Sequence, residues 1–194
     1  MVSPQVRLFL FSSIAFIGLE AIAPSTERAV TTSARPGSTR AFQDRVSDYA
    51  RLRERLILRL RADERSGEGS AAGVFQRALA DAIRDARRNA VVGDMFGPDM
   101  TDWILRTVRA DMSMRQPAER AAILSEAPAL RSVAINDVYP ESAPLATMPP
   151  LLLAQLVPLP AELQYRFLEN AIVLIDIDAY LIVDVISNVF KRGT

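Results

Sequence analysis

Neither cysteine nor histidine occurs in the 194 residues. Without cysteine there is no disulfide, so a folded core must hold together by packing alone. Without either residue the chain lacks the usual ligands for zinc, copper, nickel and haem. It also builds neither a Ser-His-Asp nor a Cys-His catalytic centre. Lysine is almost as scarce: Lys191 is the only one, and the other 22 of the 23 basic residues are arginine. A GC-rich codon supply accounts for that bias without any selection for guanidinium chemistry. Net charge is absent too, the formal value being zero. Its distribution is mildly uneven: residues 1–131 hold 20 arginines against 16 acids, and residues 132–194 hold 3 basic residues against 7 acids. That asymmetry can help two halves dock, but it falls well short of a nucleic-acid signature.

Long apolar runs are limited to one. Leu8 to Ala23 follows a single positive charge, Arg7, and ends in Ala21-Ile22-Ala23, a small-x-small pattern that a signal peptidase can cut. The run is 16 residues long, short of the roughly 20 that a spanning helix needs. Residues 1–23 therefore read as a secretory signal peptide. Pro24 just after the cut and Glu20 before it oppose clean cleavage, so an uncleaved anchor and an ordinary buried helix stay open as alternatives. Residues 24–40, rich in Ser, Thr, Pro and Gly, read as a flexible tether.

What remains is enough for one domain or two small ones. Phe42, Val46, Tyr49, Leu52 and Leu56 draw one stripe, which predicts a helix over 41–61 with Thr39 as its cap. Val74, Phe75, Ala78, Leu79, Ala82, Ile83 and Ala86 predict a second helix from a Ser70 cap to about Asn89. Its other side carries Arg77, Asp81, Arg84, Asp85, Arg87 and Arg88. After the loop Gly93-Asp94-Met95-Phe96-Gly97, Pro98 opens a third helix with Trp103, Ile104, Thr107 and Val108 inside. Pro117 opens a short fourth helix ending near Ser125. Residues 41–127 thus form a helical bundle.

Residues 128–194 change character. Ser132 to Tyr139 reads as a strand. Six prolines between Pro140 and Pro160 bracket Leu151 to Leu156, about two turns of helix capped by Thr147. Leu163–Leu168, Ala171–Ile175 and Tyr180–Ile186, with a tight turn at Glu169-Asn170, form an antiparallel β-meander. The fold class is α+β, with the meander module packed on the bundle because each part alone is near the lower size for a stable core.

Four groups of polar residues bear on chemistry. Asp176, Asp178 and Asp184 have the D-x-D opening of a calcium loop. They lack its later ligands, its turn glycine and its closing glutamate, so water-facing acids at a hairpin turn are the simpler account. Asp94, Asp99 and Asp102 offer a carboxylate group for acid/base work. Placement of Asp99 and Asp102 in the first turn of a helix explains them as well. Ser66-Gly67-Glu68-Gly69-Ser70 lacks the spacing and the lysine of a phosphate loop. Arg51, Arg53, Arg55, Arg59 and Arg61 spread around their helix as a solvated face, with anionic lipid as the other reading. The Phe42/Tyr49 and Phe75/Trp103 stripes read as core. No catalytic, cofactor or metal residue is assigned.

The carboxyl half carries a resemblance. Tyr139-Pro140, Pro149-Pro150 and Leu159-Pro160-Ala161-Glu162-Leu163-Gln164-Tyr165-Arg166-Phe167 lead into Ala171-Ile172-Val173-Leu174-Ile175-Asp176 and Leu181-Ile182-Val183-Asp184-Val185-Ile186. This pattern, with Gly93-Asp94-Met95-Phe96 upstream, resembles an uncharacterised family of exported bacterial proteins. It is also distantly similar to the carboxyl module of the periplasmic nickel/cobalt-homeostasis family. The first resemblance implies location and fold. The second implies metal homeostasis, for which this chain has neither histidine nor cysteine. The expectation is a periplasmic or secreted binding protein without catalytic activity, meeting a protein or cell-envelope component through an exposed strand edge. The alternatives are a carboxylate-only hydrolase such as a glycosidase and a membrane-tethered envelope protein that keeps its amino-terminal segment.

Overall fold

A computed structural model describes residues 36–64, 72–127, 133–139, 148–168 and 170–190. The signal segment, most of the tether, Ser66–Ser70 and the caps Ser70 and Thr147 lie outside the described residues, as does Glu169 of the tight turn. The elements are α1 (Pro36–Glu64), α2 (Ala72–Ala86), α3 (Gly97–Met114), α4 (Pro117–Glu126), α5 (Pro150–Leu153), β1 (Leu163–Leu168), β2 (Ala171–Asp176) and β3 (Leu181–Ser187). The chain is α+β, with an antiparallel sheet in the order β1-β2-β3. No helix among the described residues is long and apolar enough to cross a membrane.

Helix α1 begins five residues earlier than its stripe indicates, which places Thr39 inside it. The last part of the expected tether, Pro36 to Arg40, is therefore helical. Proline at a helix start forgoes only an N–H that has no intrahelical partner there, so Pro-Gly-Ser-Thr did not end the helix. The stripe itself is as expected, with Phe42, Val46, Tyr49 and Leu56 buried. Helix α2 ends at Ala86, and only Leu79, Ala80 and Ile83 on it are fully buried, while Val74 is exposed. Pro98 and Asp99 occupy the first turn of α3, and Asp102 falls in the second. Pro150–Leu153 is a single helical turn packed on α3, shorter than the two turns expected.

One apolar core joins the helices to a face of the sheet. At its centre Phe42, Phe96 and Tyr165 stack mutually, with ring centroids 5.7 to 6.5 Å apart. These rings come from α1, the α2–α3 loop and β1, so one aromatic triad ties three distant segments together. A second cluster covers the other face, where Tyr139, Leu168, Val173, Ile175, Ile182 and Val185 pack with Val133 and Ile135. Strand β2 is buried on both faces, which is why it reads as an unbroken apolar run.

The strand expected over Ser132–Tyr139 does not form. Among the described residues it makes one bridge, Val138 to Leu181. Asn136 breaks the run by adopting a left-handed φ of 67°, a conformation asparagine tolerates better than most residues. Its amide donates to the Arg87 carbonyl at 3.1 Å, and its own carbonyl accepts from Arg84 Nε at 3.0 Å.

Strand β3 carries a bulge. Ile182 pairs with Ile175 and Asp184 with Leu174, leaving Val183 as the extra residue. Simple alternation from Leu181 and Val183 would send Asp184 to the face away from the helices. The bulge resets the count, so Val183 and Asp184 both face the helical layer.

Candidate functional site: two sealed carboxylates and an open strand edge

Asp184 and Asp176 are both 0% exposed, and each carboxylate is saturated with donors. The Asp184 Oδ1 accepts from the Gly93 and Val185 amides, both at 2.8 Å. Its Oδ2 accepts from the Met95 and Phe96 amides, both at 2.9 Å. The α2–α3 loop thus wraps its backbone around a carboxylate that the bulge aims at it. Asp176 Oδ2 accepts from the Tyr49 hydroxyl at 2.8 Å and from Arg53 Nε at 2.9 Å. Its Oδ1 accepts from the Asp178 and Ala179 amides at 3.1 and 3.0 Å. Buried charge is tolerated only when paired or fully hydrogen-bonded, and both conditions are met at Asp176. Burial, and then the charge and hydrogen bond of Asp176, push the Tyr49 phenol well above its ordinary range.

These contacts correct several expectations. Of the hairpin acids only Asp178 faces water, where it pairs with Arg53. Arg53 is not part of a solvated face, since its side chain is 11% exposed. Arg51 pairs with Asp48 one turn earlier on the exposed side of α1. Among the described residues no cluster of acids could hold a metal ion, because Asp176 and Asp184 are aimed at protein donors on different elements. Asp99 and Asp102 are exposed on α3. Asp94 is exposed and accepts from the Val91 amide at 2.9 Å. A carboxylate-only hydrolase needs two acids facing one cleft. The Asp94 loop does reach Asp184, but through its backbone, and Asp184 presents no surface to a substrate.

Of the arginines expected on the solvent side of α2, Arg84 and Arg87 turn inward, while Arg77 and Arg88 are exposed. Arg87 Nη1 donates to the carbonyl of the bulged Val183 at 3.0 Å, filling the acceptor that a bulge frees from the ladder. Its guanidinium lies 5.5 Å from the Tyr49 ring centroid, within cation–π reach, and burial lowers its pKa. On α1, Arg45 donates from Nε to the Met95 carbonyl at 2.7 Å and from Nη2 to that of Phe96 at 2.9 Å. The α2–α3 loop is therefore gripped twice, by Asp184 through its N–H groups and by Arg45 through its carbonyls. No local signal marks these arginines, because their acceptors lie 50 or more residues away.

Gly97 closes that loop with φ of +68°, and a Cβ placed there would lie 2.6 Å from Arg45 Nη2. Gly97→Ala should displace the guanidinium and strain the backbone, lowering stability by about 1–3 kcal/mol. Thermal unfolding of the variant checks this. A Tm equal to that of the parent would show that the Arg45 grip contributes nothing.

The sheet edges differ. The β3 edge is covered at its start: Asn136 N–H donates to the Ile182 carbonyl, Ile182 N–H to that of Asp137 and Tyr139 N–H to that of Tyr180, at 2.7 to 2.9 Å. On the β1 side, Ile177 N–H donates to the Glu162 carbonyl at 3.0 Å. Antiparallel ladders alternate, so the backbone groups of residues 163, 165 and 167 point away from β2. Leu163 N–H turns back to the Pro160 carbonyl at 3.0 Å, while those of Tyr165 and Phe167 have no backbone partner among the described residues. Alongside this edge runs a groove of about 650 Å³ walled by Met148, Leu153, Leu156 and Val157, with Tyr165 and Arg166 on the β1 side. Leu151 and Leu153 beside it are exposed. Tyr165 is locked in place by its hydroxyl, which donates to the Val157 carbonyl at 3.0 Å. No protein-family model, no curated protein and no solved structure matches this chain.

Proposed function

We propose that this chain is an exported, non-enzymatic binding protein that takes an extended segment of a protein or cell-envelope partner along β1. One observation carries the reading: the outward backbone groups of Tyr165 and Phe167 have no backbone partner among the described residues, and the same strand lines an apolar groove through Leu163, Tyr165 and Arg166. Strand addition needs both parts, main-chain pairing for affinity and side-chain pockets for specificity. Edge strands in monomeric proteins are usually covered or charged, as the start of β3 is covered here. The apolar segment Leu8–Ala23 supports a periplasmic or secreted location, with a membrane-tethered form if it is retained.

The edge is tested by amide exchange. In the free protein the Tyr165 and Phe167 amides should exchange at least about tenfold faster than those of Gln164 and Arg166, which face β2. Equal protection of all four in the monomer would mean that the edge is closed and the reading wrong. The location is tested by the intact mass of the chain from each cell fraction. A soluble periplasmic or secreted species shortened by residues 1–23 is expected, and a full-length cytoplasmic species would end the exported reading.

A further inference from the structure

Resting on that reading, we infer that the segment β1 accepts carries an acidic side chain flanked by apolar residues, with its carboxylate set against Arg166. Among the described residues lining the groove, Arg166 is the only charged one, and no acid accompanies it. Its Nε is buried without a hydrogen-bond partner. Its Nη2 meets only the neutral amide oxygen of Gln164. Four other arginines, Arg51, Arg53, Arg84 and Arg115, have carboxylate partners, and Arg45, Arg87 and Arg109 have backbone carbonyls. Arg166 thus stands out as a half-buried guanidinium with unused donors in apolar surroundings. Burial lowers its pKa accordingly.

The ladder fixes where the carboxylate must sit. A segment added antiparallel to β1 would exchange main-chain bonds with Tyr165 and Phe167. Arg166 then occupies a non-hydrogen-bonded position, where the opposite residue is closest and projects on the same face. An aspartate or glutamate there meets the guanidinium directly. Its two neighbours project to the other face, against the wall that contains Leu156 and Val157. The recognised pattern is therefore apolar-acid-apolar in extended conformation. An opposite charge beside a half-buried guanidinium gains more than on open surface.

The test uses two fluorescent nonapeptides, Ser-Gly-Val-Glu-Val-Thr-Val-Gly-Ser and its counterpart with Gln for Glu, titrated into the purified chain and followed by anisotropy. The Glu peptide should bind about tenfold more tightly, and added salt should shrink that difference. Arg166→Gln should abolish the difference between the two peptides. Ala154→Trp, at an exposed position on the groove wall, should block both peptides. The salt series on the parent protein tests the same charge pair independently of whether the Arg166 variant folds. Equal binding of the two peptides, still blocked by Ala154→Trp, overturns the carboxylate inference and leaves the groove reading standing. Binding by neither peptide, or a dimer of the chain that the peptides do not dissociate, overturns both.

Discussion

Asp184→Asn is expected to lower stability by about 3–5 kcal/mol, the largest single loss in the chain. The carboxylate serves four backbone amides, two on each oxygen. An asparagine keeps one oxygen and turns an NH₂ toward the other two donors. Those two buried N–H groups lose their acceptor at about 1–3 kcal/mol each, and the remaining bonds are no longer charge-assisted. Because Asp184 is fully buried, solvent is poorly placed to make up the loss. Urea unfolding should show a lower midpoint with an unchanged slope, since the surface exposed on unfolding is the same. Asp94→Asn, in the loop just before α3 and exposed to water, should change stability by about 1 kcal/mol or less. A loss at Asp184 no larger than that at Asp94 would mean that the α2–α3 loop does not depend on the carboxylate.

Alkaline pH should destabilise the protein steeply. Tyr49, Tyr139 and Tyr165 are all buried, and burial raises each phenol above its ordinary value of 10.0. At Tyr49 the negative charge of Asp176 adds to the shift. The sign follows from proton counting. Above about pH 10 the unfolded chain releases these protons while the folded chain keeps them, so the unfolded state binds fewer and stability falls as pH rises. Below pH 10 both states hold the protons and the contribution is fully present. Each tyrosine supplies up to about 1.4 kcal/mol per pH unit, so the three together remove roughly 3–4 kcal/mol by about pH 11. Urea midpoints measured from neutral to alkaline pH, with tyrosinate absorbance followed in parallel, check this. Tyr49→Phe should flatten the decline by about a third. A midpoint that stays level through pH 11 would show that these phenols titrate freely in the folded state.

The apolar pattern carried much of the architecture. Phe42, Val46, Tyr49 and Leu56 step along one face, and that spacing is enough to specify α1 and which side of it is buried. Pro98 and Pro117 mark the starts of α3 and α4 for a local reason, the missing N–H. The runs 171–175 and 181–186 declare strands because β-branched residues suit a covered sheet. Periodicity misled where a single residue left the regular backbone. Asn136 ended a strand that Val133, Ile135 and Tyr139 otherwise spell out, and Val183 shifted the register of β3 without any mark in its alternation.

Polar residues were where local reading ran out. Asp176 and Asp184 look like water-facing turn acids, and Arg53, Arg84 and Arg87 look like a solvated face. Whether a charge is buried depends on its partner, and the Tyr49–Asp176 partners are 127 residues apart. The same holds for Arg166, whose unmet donors appear only once β1 is known to be an edge with Gln164 as the partner of Arg166 Nη2. The sequence by itself determined the α+β class, the helices and strands that matter, and the absence of cysteine and histidine chemistry, because these follow from residue type and short-range spacing. The tertiary structure alone decided which carboxylates are sealed, which arginines cap backbone carbonyls and which edge of the sheet stays open among the described residues, because each rests on long-range pairing that only the folded chain brings together.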